Sequence, residues 1–225
     1  RNQPIREQIQ INREAIRKRY RAEKFLIYFQ AYTNTFGRFR EFESLYKEAL
    51  REKDVVGIVV GTRPDCLPKR VLQKFAEIAC ESYLSVELGI QTIDDAQLQF
   101  LSRGHDNVTS LKAIHRLKVL PEVNVCVHLM FGLPGETDLQ IRKTAEILSE
   151  QKVDGVKLHN LHVLRNTPLE KLYRESRFKP VELEEYSRKV ALFLENLSPN
   201  IAVHRLAAVA SRWDELVAPQ WTREK

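Results

Sequence analysis

The stretch "NVCVHLMFGLPGET", residues 124–137, decides how this chain folds. An apolar run with one histidine in it breaks into Gly-Leu-Pro-Gly and ends on Glu136 and Thr137. A short apolar segment closed by glycine and proline reads as a strand and its turn. Thr137 and Asp138 then stand where a helix opens, because their side chains satisfy the first free N–H groups. The stretch is one strand–turn–helix unit. A glycine–proline turn at a strand end also lets backbone approach a flat ligand, since Gly132 and Gly135 carry no Cβ and Pro134 stiffens the approach. A plain connecting turn is the equal alternative for this motif taken alone.

Working outward, the pattern repeats. Apolar runs begin at residues 24, 54, 83, 124, 155 and 201. Between them, residues 38–53, 68–82, 93–102, 107–119, 137–151 and 182–196 space their apolar side chains three and four apart, which predicts helices. Pro68 is expected in the first turn of the second of these, and Asp106 or Asn107 caps the fourth. Strands that read as near-continuous Val, Ile and Leu belong to parallel sheets covered by helices, so the class is α/β, a barrel or a doubly wound sheet. The expected organisation is one domain over 1–225: a basic helix over 1–23, βα units over 24–206 and a C-terminal tail over 207–225.

The chain has 225 residues, enough for one substantial core. Its hydrophobic fraction of 43% and charged fraction of 29% are those of a soluble protein, and no apolar run nears the roughly 18 residues of a membrane helix. The first 24 residues are too polar for a signal peptide, so a cytoplasmic location and no membrane partner are expected. The net charge of +6 is concentrated in "REAIRKRYRAEK", residues 13–24, which reads either as a solvated helix face or as a surface that steers an acidic partner such as RNA. Cys66, Cys80 and Cys126 have no metal-ligand spacing, and each is most simply a buried small apolar residue.

In α/β barrels and open α/β sheets, ligands bind at the carboxyl ends of the strands. Those ends carry Gln30, Tyr32, Thr33 and Asn34; Thr62, Arg63 and Asp65; Glu87 and Gln91; His128 and the Gly-Leu-Pro-Gly turn; His159, Asn160 and His162; and His204 and Arg205. Strand alternation puts Glu87, Gly89 and Gln91 on one face, and likewise Lys157, His159 and Leu161. A charge on an inward face is unfavourable alone, so Glu87 and Lys157 are partners of each other, partners of a ligand, or outward-facing.

Taken together, "YFQAYTNT", "VVGTRPDC", "ELGIQT", "LSRGHD", "HLMFGLPGET" and "KLHNLHVLRNTPLEKLY" resemble the radical S-adenosylmethionine (SAM) superfamily, most nearly an uncharacterised bacterial group related to the elongator-type radical-SAM proteins. The match runs in order from Lys24 onward. It implies a partial TIM-like (β/α)6 barrel holding SAM and a 4Fe-4S cluster, fed by an external electron donor, that cleaves SAM to a 5′-deoxyadenosyl radical. The resemblance places Gln30, Ala31 and Tyr32 where the family has a Gly-Gly-Glu that meets the methionine amino group. It places Glu87 and Gln91 at the ribose or methionine end, Arg103 on the SAM carboxylate, and the backbone of Phe131, Gly132 and Leu133 beside adenine. Arg63, Asp65, His159 and His162 remain for the substrate, with a pairing of Arg63 to Asp65 that merely fixes the loop as the alternative.

The family's three-cysteine cluster motif is not in this sequence. The expectation is therefore a barrel without its first strand and cluster loop, with no metal ligands of its own and inactive as it stands. A descendant that lost its cluster, or a non-catalytic RNA- or SAM-binding module, is the alternative.

Overall fold

A computed structural model describes residues 3–30, 33–210 and 212–223. In chain order its elements are α1 (Ile5–Tyr20), β1 (Phe25–Phe29), α2 (Phe39–Leu50), β2 (Val55–Thr62), α3 (Lys69–Glu81), β3 (Tyr83–Gln91), α4 (Asp95–Phe100), α5 (Asn107–Lys118), β4 (Val123–Phe131), α6 (Asp138–Glu150), β5 (Gly155–Asn160), β6 (Val163–Leu164), α7 (Pro168–Arg174), α8 (Leu183–Glu195), β7 (Ala202–Arg205) and β8 (Leu216–Ala218). The principal sheet runs β1-β2-β3-β4-β5-β7, and β6 and β8 form a small second sheet. The pairings β1 with β2, β2 with β3 and β5 with β7 are parallel.

By internal contacts the chain falls into two compact units: one runs to Gly89 and resumes over Thr109–Cys126, and the other comprises Ile90–Val108 and the chain from Val127 onward. In the first unit, every second strand residue is sealed under a helix: Ile58 and Val60 on β2, and Leu84, Val86 and Leu88 on β3, all at 0% exposure. The helices answer with residues three, four and seven apart, Phe42, Tyr46 and Ala49 on α2 and Val71, Phe75 and Ile78 on α3. Burying side chains of this size stabilises the fold by roughly 1.5–3 kcal/mol each. The Phe29 ring meets Tyr46 edge-on at 4.9 Å, which fixes the helix-covered face of β1 and leaves Leu26 and Tyr28 on the opposite one.

The basic helix α1 spends much of its charge inside this unit. Arg6 pairs with Glu52 at 3.1 Å, Arg13 donates to the Lys53 carbonyl at 2.7 Å, and Arg17 pairs with Asp54 at 2.9 Å. These three arginines are therefore engaged within the unit, while Lys18, Arg19 and Arg21 stay exposed.

In the second unit, Val127, Leu129 and Phe131 of β4 and Val156 and Leu158 of β5 are buried. Phe131 stacks edge-on to Phe193 of α8 at 5.4 Å. Side-chain caps start three helices: Thr137 accepts from the Gln140 N–H as the sequence suggests, and Asp94 accepts from Gln97 and Thr167 from Glu170. Pro68 sits one place earlier than expected, at the N-cap of α3 rather than in its first turn. The residues assigned to a tail contribute β8, antiparallel to β6, and Trp221, whose indole N–H donates to the Val181 carbonyl at 3.1 Å. Val163, Phe178 and Ala218 form a small core there.

Candidate functional site

On the uncovered face of the first unit, alternation brings Tyr28 and Glu87 together. Glu87 is buried at 5% exposure and accepts a short hydrogen bond from the Tyr28 hydroxyl. A neighbouring register pair, Ser85 of β3 and Asn124 of β4, is bonded at 3.0 Å, and the Cys126 thiol lies within 4.8 Å of the Glu87 carboxylate. Tyr28 was not among the expected site residues. The signal was available, because it lies two residues before Gln30 on the same face of an alternating strand.

Gln30 is exposed just past the end of β1, whereas Ala31 and Tyr32 lie outside the described residues. The loop beyond is held by its own polar groups: the Asn34 amide donates to the Phe29 carbonyl at 2.6 Å and to that of Gly61 at 3.1 Å, and the Tyr46 hydroxyl donates to the Asn34 carbonyl at 2.7 Å. Arg63 and Asp65 form a two-pronged pair, Nε to Oδ1 at 2.9 Å and Nη2 to Oδ2 at 2.5 Å. The pair is partly exposed, so its contribution to stability is below about 1 kcal/mol. It closes the loop on itself, the alternative that the sequence left open.

In the second unit the Gly-Leu-Pro-Gly turn has a physical cause other than a ligand. Gly132 has a φ of 85°, and a Cβ there would stand 2.6 Å from Cγ1 of Val181. The missing methyl thus makes room for Val181, whereas at Gly135, φ 71°, nothing stands within 4 Å of where a Cβ would be. The acid that ends the motif folds back on it: Glu136 accepts from the Gly132 N–H at 3.0 Å and from Lys189 of α8 at 2.8 Å. Burial raises the Glu136 pKa, opposed by the Lys189 ammonium beside it. Phe131 turns its ring into the helix layer and Leu133 is buried at 4%, so backbone is what the turn presents.

Gln91 ends β3 in left-handed backbone, φ 69°, at a cost of roughly 1–2 kcal/mol for a non-glycine residue. Beside it, three side chains missed by sequence reasoning form a polar knot. Thr92 donates to the Gln97 side-chain carbonyl at 2.7 Å, Gln140 donates to the same oxygen at 2.7 Å, and the Gln97 amide reaches the Pro134 carbonyl at 3.2 Å. The knot ties the end of β3 to the Gly-Leu-Pro-Gly turn. Arg103 follows α4, half-buried, with its backbone N–H on the Leu98 carbonyl at 2.9 Å.

His128 and His159 face each other with ring centroids 5.1 Å apart. Arg205 of β7 donates through Nη2 to His159 Nε2 at 2.6 Å. Burial, then the Arg205 cation, bring the His159 pKa down from 6.5 to about 3, so the ring is neutral and accepts. His162 does something else. It hydrogen-bonds the Asn160 amide at 2.8 Å while the Asn160 carbonyl takes the Ala208 N–H at 3.0 Å, and burial lowers its pKa. The two expected substrate histidines are thus separated in role: His159 faces the open side with Arg205, and His162 braces Asn160, which holds the chain after β7.

The family model of the Radical SAM superfamily matches residues 1–148, and that of the Radical_SAM C-terminal domain matches residues 153–225. The chain belongs to the radical SAM superfamily. It is 37% identical over 211 residues to Protein YhcC of Escherichia coli (strain K12), covering 91% of this chain and 66% of that protein. The radical-SAM chain thus spans about two thirds of this curated relative's length. Among solved structures it is similar to the Methanocaldococcus infernus Elp3 with an N-terminal deletion, with a TM-score of 0.79 at 20% identity over 93% of this chain and 54% of that one. Streptococcus suis SuiB bound to S-adenosylmethionine gives 0.63 at 16% identity over 91% of this chain and 44% of that one. The expected fold class, a partial (β/α)6 arrangement of radical-SAM type, is the class found.

The cysteines of this radical-SAM chain do not fit a three-thiolate cluster. Cys126 is buried on β4 as expected, but Cys66 is only half-buried and Cys80 is exposed on α3, which corrects the expectation of three buried small residues. Among the described residues, no three thiols come within reach of one metal ion.

Proposed function

We propose that this chain is the SAM-binding core of a radical-SAM iron–sulfur enzyme whose cluster ligands come from polypeptide outside residues 1–225. With the cofactor bound at a 4Fe-4S cluster fed by an external electron donor, the chemistry supplied would be a 5′-deoxyadenosyl radical that abstracts hydrogen from substrate. The observation that carries the reading is the placement of polar groups at the carboxyl ends of the parallel strands, beside a helix-covered face that is mostly apolar.

In this reading Gln30, Ala31 and Tyr32 are the candidates for the methionine amino group, and Glu87, oriented by Tyr28, and Gln91 are those for the ribose or methionine end. Arg103 pairs with the carboxylate. The backbone of Phe131, Gly132 and Leu133 lies along adenine, held rigid by Glu136 and Lys189. Arg63, Asp65, His159 and His162 remain the candidates for substrate contacts. Among the described residues β1 pairs with β2 alone, and a groove of about 380 Å³ between β1 and α1 supports a further strand at that edge.

Anaerobic reconstitution of the whole gene product tests the reading. It should give the absorption of a 4Fe-4S cluster and, with SAM and reductant, release 5′-deoxyadenosine. Residues 1–225 alone should stay colourless and bind SAM weakly in calorimetry. A colourless, inert whole protein would reject the proposal. Salt-sensitive RNA binding by such an inert protein would favour the second reading, an RNA-binding module, for which exposed Lys18, Arg19 and Arg21 are the motive.

A further inference from the structure

Arg205 is placed to meet an anion. It pairs in register with Lys157 across the β5–β7 ladder, so both cations leave the same face of the sheet. A guanidinium carries five N–H donors. Among the described residues, the acceptor Arg205 finds is the His159 ring, at 2.6 Å from Nη2 to Nε2, and its Nε is buried without a hydrogen-bond partner. No carboxylate pairs with Arg205 among the described residues. A buried donor left unsatisfied costs roughly 1–3 kcal/mol. A guanidinium kept with such a donor and without a carboxylate partner leaves a place for a negative group to complete it.

His159 fits that purpose. Its ring accepts from Arg205 and so must present an unprotonated Nε2, which adds no positive charge of its own while fixing the guanidinium plane. His128, stacked at 5.1 Å, backs the ring from β4. The guanidinium edge formed by Nε and an Nη nitrogen matches the two oxygens of a carboxylate or phosphate, and charge-assisted pairs of this kind are about twice as strong as neutral ones.

We infer that Arg205, held by neutral His159 and assisted by Lys157, binds an oxyanion group of the substrate, a carboxylate or a phosphate. The inference rests on the radical-SAM reading only in calling the bound anion substrate. Arg205 was seen in the sequence as a strand-end residue and given no role. His159 becomes a positioning residue that acts through Arg205, and an arriving anion draws the guanidinium outward, which satisfies Nε and lengthens the bond to His159.

The test follows the ¹⁵N resonances of the His159 ring in the whole gene product during titration with inorganic phosphate and, separately, acetate, at constant ionic strength set with chloride. A saturable shift is expected with at least one anion; the tighter one names the source. Arg205→Gln should weaken that binding at least about tenfold, with Arg205→Lys between, at unchanged far-ultraviolet circular dichroism. Wild-type protein with no saturable shift from either anion would overturn the inference, as would Arg205→Gln binding as tightly as wild type. Competition by SAM for the same shift would also overturn it, since the anion would then be the cofactor's own carboxylate. Release of 5′-deoxyadenosine is read separately: its loss with the His159 shift retained rejects the radical-SAM reading and leaves the anion site standing.

Discussion

The two units differ little on the faces their helices cover and sharply on the faces they do not. Under the helices both are Val, Ile, Leu and Phe at near-zero exposure. On the uncovered side, the first unit shows Tyr28, Val59, Ser85 and a single buried acid, Glu87, whereas the second shows His128, Lys157, His159 and Arg205. The helix-covered face is under the same constraint everywhere, exclusion of water from apolar surface, so it has one solution. The uncovered face is free of that constraint and is where chemistry diverges: an acid and a phenol in one unit, cations around a neutral imidazole in the other.

The comparison breaks first if the covered faces are not equivalent. Phe75→Ala in the first unit and Phe193→Ala in the second, both at 0% exposure, should each cost about 3–5 kcal/mol in urea unfolding, while Tyr28→Phe on the uncovered face costs about 1 kcal/mol or less. A smaller loss at Phe193 than at Tyr28 would refute the division of labour.

A buried ion pair sharpens it next. Lys189→Met strands Glu136 at a side-chain exposure of 4%, and the expected loss at neutral pH is about 2–3 kcal/mol because the acid takes up a proton once its cation is gone. Adding Glu136→Gln should recover most of that loss. A double-mutant cycle by thermal melting checks the coupling, and full additivity would show that the pair does not matter.

A pH-dependent effect belongs to His159. Its folded pKa, about 3, lies below the ordinary 6.5, so the unfolded chain binds the extra proton and stability falls as pH drops from about 6.5 toward 3. His159→Gln cannot take that proton, so its urea midpoint should decline less steeply over the same window. Parallel slopes for the two proteins would mean that the ring is not held neutral.

Most of the fold was legible along the chain. The expected helices 137–151, 68–82 and 182–196 appear as Asp138–Glu150, Lys69–Glu81 and Leu183–Glu195, because apolar spacing and capping groups such as Thr137 are local properties. The strand β3 matches its apolar run end to end. Less legible was the short segment 163–174, where two residues of strand and about two turns of helix carry too little periodicity to register.

For the site, chain order identified the strand ends but not who meets whom there. Glu87, His159 and Arg63 were visible as polar residues at the right places. That Tyr28 would serve Glu87, that Gln97 and Gln140 would knot the turn, and that Asn160 would pin Ala208 while His159 holds Arg205 depends on residues as far apart as 59 positions.

The sequence by itself determined the alternation of strands and helices, the apolar face each one buries and the family to which the motifs point, since these follow from period, composition and order. Only the tertiary structure decided that Gly132 makes room for Val181, that Arg63 is spent on Asp65 and that Arg205 is left with a neutral imidazole instead of a carboxylate. The physical reason is range. Periodicity and capping act over a few residues, whereas hydrogen bonding, steric clearance and desolvation are set by whatever the fold brings within about 4 Å, from anywhere in the chain.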